Sequence, residues 1–438
     1  MQCTVASLEV DSAAMSTASL EKSAARNRAT VWIIGAALVG LFLKLAIAYN
    51  TFGTNDVITF YTFARSLSDH GLEWTYRHNI SFNHPPLMAY YLRWIYQLDH
   101  LSWFRENGFT FPFLLRLPGI IADFVVVILL LRISLMDVRI RLPAWSLILF
   151  ALSPVSLMVS GFHGNTDSIM VMFFSLTAYM CLKEQAWLGG LFFALTCQVK
   201  VIPLLFFPVL FLFWFQRKAI FSFLLSFGLT SLALWSEPLL KFPLLFAKNV
   251  LSYGSYWGLW GITYWLRLTQ WRPFSTVTFY NFPPAEMIVV TILKVLIIGA
   301  VLLLAWRRRA LAARAVIDSI AYGWVIFFVL SPGVCAQYMV WLAPFMLMLS
   351  PSFYLWLTAA SSLFLFFFYN TIGHGLPWYL GISTNHLNTI WTPWTIWPWA
   401  ALITGMILFW RKAVAADPTL RLFSLQTMSA KSRDYTGV

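Results

Sequence analysis

Residues 53–98 read GTNDVITFYTFARSLSDHGLEWTYRHNISFNHPPLMAYYLRWIYQL, and the placement of this stretch decides the fold. It is the longest polar-containing run between two apolar segments, 31–49 and 112–131, that read as membrane helices. Within it Phe60, Phe63, Ala64 and Leu67 recur at i, i+3, i+4 and i+7, which predicts an amphipathic helix lying at a membrane interface. Asn55 or Asp56 is placed to cap its start. A second interfacial helix is predicted from Pro86, whose fixed φ suits a first helical turn, with Leu87, Tyr90, Tyr91, Trp94, Ile95 and Leu98 along one side.

Outward from this loop the chain is nearly all hydrocarbon-soluble. Hydrophobic residues make up 60% of it and charged residues 11%, against about 45–50% and about 25% in soluble domains; its mean hydropathy is +0.72. The class is an all-α polytopic membrane protein of about 11–13 transmembrane helices at about 20 residues each, with no room for a separate soluble domain. Further spans are expected near 142–160, 167–182, 187–199, 201–215, 219–235, 287–306, 316–330, 338–350, 353–370 and 396–410. The domain plan is a disordered cytoplasmic tail at 1–30, one transmembrane domain at 31–415 and a basic cytoplasmic tail at 416–438. Two large outside loops, 50–111 and 237–286, interrupt the domain. Ala46-Ile47-Ala48 resembles a signal cleavage site, but the apolar run before it exceeds the about 7–15 residues of a signal peptide, so an uncleaved first span is expected.

The net charge of +13 raises the question of nucleic acid. With the N-terminus inside, eighteen basic residues fall in inside segments and eight in outside loops, as the positive-inside rule requires. Topology thus accounts for the surplus and leaves no case for nucleic acid. The four cysteines form no CxxC pair and no Cys/His cluster has metal-ligand spacing, so no metal is expected. The 237–286 loop carries Tyr253, Tyr256, Trp257, Trp260, Tyr264, Trp265 and Trp271. It reads either as an interfacial aromatic belt or as a platform for a sugar face or lipid chain.

On this topology the polar residues that burial penalises gather on one side: Asp56, His84, His163, Asp167, Lys200, Gln337, Tyr338 and His374. Ionisable groups at a membrane edge are costly and default to functional hypotheses. Asp56 directly follows the first span, where a desolvated carboxylate with a raised pKa suits a general base. His84 precedes a helix N-terminus, which favours anions. Gly161-Phe162-His163-Gly164-Asn165-Thr166-Asp167 is a tight polar turn, in which Asp167 is a candidate cap for the next helix. Lys200 sits between apolar segments and either snorkels or holds a phosphate as a point charge. Arg116 and Asp123 share a helical face two turns apart and read as partnered structural groups.

Several features together resemble the GT-C membrane glycosyltransferases, and among them the polyprenyl-phosphate-sugar-dependent mannosyl- and glucosyltransferases. They are an acid just after the first span, a long first outside loop with two helices, His84-Pro85-Pro86-Leu87, the Gly161–Asp167 turn, and Cys197-Gln198-Val199-Lys200 before a Pro-containing apolar helix. The likeness covers about 31–215, with Asn55-Asp56 through Arg65 similar to the family's acid and arginine-bearing helix. The chain departs from the pattern in two places. Asn55 stands where many members have a second acid, and Ala336-Gln337 where some have His-Glu.

The resemblance implies transfer of a hexose, mannose or glucose, from a polyprenyl (dolichyl-type) phosphate to a hydroxyl of a glycan, lipid-linked glycan or other acceptor. Asp56 would be the base of an inverting reaction, and Lys200, His84 and His163 would stabilise the leaving phosphate. Asn55, Arg65, Asp167, Gln337, Tyr338 and His374 are acceptor-side or supporting candidates. The scheme needs no cofactor beyond the lipid-linked sugar. The expected setting is a bacterial plasma membrane or the endoplasmic reticulum, with the site on the outer or lumenal face. A transporter or flippase of a lipid-linked or small polar substrate is the rival reading: it would place several ionisable groups near mid-span.

Overall fold

In the computed structural model, residues 3–79, 81–136, 140, 142–251, 260–268, 284–309, 312–382 and 392–416 are described, with side chains from residue 24 onward except at 267, 268, 286, 392, 410 and 412–416. The chain is an all-α multi-pass membrane protein. Helices dominate because hydrocarbon offers backbone N–H and C=O groups no water to bond. Seven helices among the described residues are long and apolar enough to cross a bilayer: Ala24–Asn50, Phe111–Met136, Ala144–His163, Ile220–Lys241, Met287–Arg307, Ala313–Leu330 and Pro351–Ile372.

Each remaining expected span is a helix, but a short one: Asp167–Leu182, Ala186–Val199, Ile202–Gln216, Ala336–Leu349 and Pro393–Phe409. At about 1.5 Å per residue they reach only about 20–25 Å, less than the about 30 Å hydrocarbon core. Among the described residues seven of the twelve expected spans are thus full-length candidates and five fall short of that length. Breaks shorten the others: the helix ending at Val199 gives way to an extended Lys200, and a 3₁₀ turn through Pro203 precedes the next helix.

The N-terminal tail also departs from expectation, because one helix runs Cys3–Asn50. Its first part is rich in Ala, the best helix former, and extending an existing helix avoids the nucleation cost. Of the aromatic outside loop, Trp260 is fully buried and Trp265 half-exposed; Tyr253, Tyr256, Trp257 and Trp271 lie outside the described residues, as does the basic tail beyond Ala416.

The first loop forms two helices, Asn55–His78 and Pro86–Asp99, packed on one another. The first buries Phe60, Phe63, Ala64 and Leu67 as its periodicity predicts, with Val57 added. The second is rotated from its predicted face. It buries Met88, Ala89, Leu92 and Ile95, while Tyr90 and Trp94 are exposed. Small and aliphatic side chains fit the close approach to its partner, and Tyr90 instead reaches Glu237 with its hydroxyl at 2.8 Å. These two helices share an apolar core with Phe111, Phe242, Phe246 and Val250.

Two charged residues inside the spans find partners other than each other. Lys44 pairs with Asp123 at 2.8 Å, and Ser156 also donates to that carboxylate. Arg116 binds backbone carbonyls and one hydroxyl: Nη2 donates to Ala48 O at 2.8 Å and to Thr51 O, and Nη1 to Thr51 Oγ1 at 2.8 Å. Its Nη1 donates to Gly161 O at 3.0 Å and Phe162 O at 3.2 Å. Carbonyls left open at a helix C-terminus carry partial negative charge, so one guanidinium ties the end of the first span to the Gly161–Asp167 turn.

Candidate active site

The first span ends at Asn50, and Gly53–Thr54 then pairs in parallel with Leu380–Gly381. That short ladder fixes the entry to the Asn55 helix. Thr54, rather than Asn55 or Asp56, is the cap: its hydroxyl oxygen accepts from the Asp56 N–H at 3.3 Å. The same hydroxyl donates to His163 O at 2.8 Å. Released from capping, the Asp56 side chain faces the opposing turn.

That turn is a π-helical segment, Leu157–His163, closed by Gly164 with φ of 85°. A β-carbon at Gly164 would sit 2.3 Å from Val57 Cγ2. Only glycine suits this corner, because it takes a left-handed conformation and leaves room for Val57. The widened turn aims His163 at Asp56, and π-bulges often serve functional sites.

Asp56 Oδ2 lies 2.9 Å from His163 Nε2 and accepts from Gln337 Nε2 at 3.3 Å. On the far side of the imidazole, Nδ1 is 2.8 Å from the Tyr369 hydroxyl. A carboxylate only accepts, so the proton belongs on Nε2. In the tautomer that carries its proton there, Nδ1 accepts from the Tyr369 hydroxyl. Among the described residues no hydrogen bond engages Asp56 Oδ1, and the side chain is 32% exposed.

Burial raises the Asp56 pKa, but His163, Lys200 and His84 together outweigh it and hold the carboxyl below its ordinary value. The raised value expected from desolvation is thus corrected, since neighbouring positive charge and a hydrogen bond to the charged form win here. His84 behaves in the opposite sense. Burial first, and then Lys200, push it down to about 3, with Asp56 opposing. Its ring lies against Phe60 at 5.1 Å. At neutral pH His84 is a neutral hydrogen-bonding group rather than a cation.

Lys200 does not stand free. Its ammonium contacts Asp167 Oδ1 at 2.7 Å, and Trp341 Nε1 donates to the same oxygen at 2.6 Å. Lys200 also lies 4.9 Å from the ring centre of Tyr338 and 5.2 Å from that of Trp341, two rings stacked on one another. Asp167 is fully buried and is Lys200's counter-ion rather than a cap; its own N–H bonds Asn165 Oδ1 at 3.1 Å. Cys335 belongs to the same neighbourhood. Burial pushes its thiol up to about 12, with Asp56 and Asp167 adding to the rise and Lys200 opposing it.

The structure therefore joins Asp56, His163 and Gln337 directly, joins Lys200, Asp167 and Tyr338 directly, and brings the His84 ring within reach of both sets of charges. Asn55 is the first residue of its helix. Arg65 falls outside the cluster, exposed and paired with Asp69 at 3.5 Å, because it projects from the solvent side of a helix whose other side is buried. His374 is exposed in the turn after Ile372 with φ of 58°, and among the described residues its side chain makes no contact with the cluster. Tyr369 and Trp341 are partners that sequence reasoning missed.

Beside Tyr369 lies an apolar groove of about 360 Å³, lined by Leu157, Met158, Leu363, Phe366 and Trp378 among others. The groove and the polar cluster share two elements, since Leu157–His163 and Pro351–Ile372 contribute to both. Trp378 separates them, with its ring 5.5 Å from Phe162 and 5.6 Å from Tyr369. No protein-family model and no curated protein sequence matches the chain.

Proposed function

We propose that this chain is a membrane glycosyltransferase that moves a hexose, mannose or glucose, from a polyprenyl phosphate to a hydroxyl acceptor. The observation that carries the reading is the hydrogen-bonded series Asp56, His163, Tyr369. It orients an ionised, partly exposed carboxylate and leaves Oδ1 open. In the reaction the acceptor oxygen forms a bond to the anomeric carbon, the bond from that carbon to the phosphate oxygen breaks, and the acceptor proton passes to Asp56. Attack opposite the leaving group inverts the centre.

The groove against Trp378 supports a lipid-linked donor, because a long isoprenoid lies in hydrocarbon and its phosphate at the membrane edge. Lys200 keeps two N–H donors beyond its Asp167 contact. Fixed in place by Asp167 and the two rings, it offers preorganised stabilisation for charge developing on the leaving phosphate. His84, neutral, contributes a hydrogen bond there. The expected setting remains a plasma membrane or the endoplasmic reticulum, with the site on the outer or lumenal face.

The rival reading, a transporter or flippase, calls for ionisable groups inside the spans. Lys44 and Asp123 are there, but they neutralise one another. Incubating the purified protein with short-chain polyprenyl-phosphate sugars separates the two. A transferase releases free polyprenyl phosphate; a transporter leaves the donor intact.

A further inference from the structure

We infer that the end of the helical bundle opposite Asp56 binds the phosphate of an anionic phospholipid between Arg308 and Arg314. The site does not depend on the proposed reaction. Arg314 lies at the start of the Ala313–Leu330 helix, whose other end leads through Ser331 to Gln337 at Asp56, about 25–27 Å away along its axis.

Arg307 ends the helix Pro284–Arg307, Arg308 and Arg309 follow in the turn, and Arg314 lies in the first turn of the next helix. Among the described residues one carboxylate faces them: Asp318, 3.5 Å from Arg308 and 2.9 Å from Arg314. Two guanidinium groups thus share a single negative charge. Arg314 Nη2 additionally donates to Met348 O at 2.6 Å. After these contacts Arg308 Nε and Arg314 Nη1 remain buried without a hydrogen-bond partner. Buried donors are seldom left so, and a guanidinium fork matches phosphate oxygens.

Beside Arg308 runs a crevice lined by Val209, Phe213, Val316, Arg309 and Ser319 among others, with Ala315, the neighbour of Arg314, also on its wall. Its space, about 10 Å³, holds roughly one water-sized group, the size of a phosphate oxygen. The outer face leading to the arginines is formed by Leu302, Leu303 and Trp306, each about half-exposed. A ligand with acyl chains on that face and an anionic phosphate at its end satisfies both parts. Basic pockets between membrane helices bind anionic headgroups in this manner.

The test uses the full chain in detergent, titrated with phosphatidylglycerol, phosphatidylcholine or inorganic phosphate, with thermal unfolding and native mass spectrometry as readouts. Phosphatidylglycerol is expected to stay bound and to raise the unfolding temperature, since a ligand of the folded state stabilises it. The other two probes are expected to do neither. Arg308→Gln should weaken the phosphatidylglycerol effect about fivefold, the share of one arginine. Asp318→Asn should strengthen it, because the competing carboxylate is gone, even though the lipid-free protein loses two ion pairs. The inference is overturned if inorganic phosphate matches phosphatidylglycerol, if phosphatidylcholine matches it, or if Arg308→Gln and Asp318→Asn leave lipid retention unchanged.

Discussion

Asp56 Oδ2 and His163 Nε2 stand 2.9 Å apart although 107 residues separate them in the chain. The contact exists because Thr54 and Gly164 turn two helix ends toward each other. It keeps Asp56 ionised despite burial, and a pH dependence follows. The Asp56 pKa is lowered from an ordinary 3.8, so its contribution to stability is fully present above that value. It is lost as pH falls through the depressed value. The acid limb of kcat/KM set by Asp56 therefore lies below pH 3.8 in the native protein.

His163→Ala removes the largest lowering influence while burial remains, so the acid limb moves to higher pH. Tyr369→Phe, which leaves His163 without its outer partner, moves the limb in the same direction by less. A pH–rate profile of the three proteins checks this, and superimposable acid limbs would contradict the assignment.

Lys200 and Asp167 form a buried pair, with side chains 16% and 0% exposed. Removing one partner strands the other, which typically costs about 3–5 kcal/mol. Lys200→Met and Asp167→Asn should each lower the thermal midpoint sharply. The double variant should recover much of the loss, because no unpaired charge remains. Additive losses in the double-mutant cycle would show that the pair is not energetically coupled.

Much of this arrangement is legible in the sequence and some is not. Asp56, His163, Gln337, Lys200 and Asp167 stand out because ionisable or amide groups beside apolar runs are costly. Tyr369 and Trp341 escape notice because a Tyr or Trp in an apolar helix reads as core until its hydroxyl or N–H is seen to have a partner. Arg65 lies apart from the cluster, because position in a loop does not say which side of a helix a residue takes. The pairing of Asp123 with Lys44 rather than Arg116 depends on the register between helices, which periodicity within one helix cannot supply. The break at Lys200 and Pro203 is legible as well, because 187–199 and 201–215 read as two separate short runs, close to the observed Ala186–Val199 and Ile202–Gln216.

Gly164→Ala should destabilise the protein. The left-handed conformation costs a non-glycine residue about 1–2 kcal/mol, and the added methyl meets Val57 Cγ2 at 2.3 Å. Because His163 is the adjacent residue, activity should fall with stability. Adding Val57→Ala should relieve the steric part and leave the backbone part, so thermal midpoints of the single and double variants separate the two costs. An unchanged midpoint in Gly164→Ala would mean that the corner yields without strain.

The central claim is that Asp56 takes the acceptor proton during sugar transfer. Its most direct measurement is the rate at which free polyprenyl phosphate appears from a short-chain polyprenyl-phosphate hexose, compared between the native protein and Asp56→Asn. Loss of a general base typically lowers such a rate about 10²–10⁴-fold, and a fall of that size, with the folded state intact, is the predicted result. Near-normal release by Asp56→Asn would contradict the assignment of the base, and no release by the native protein from mannosyl or glucosyl donors would contradict the proposed reaction.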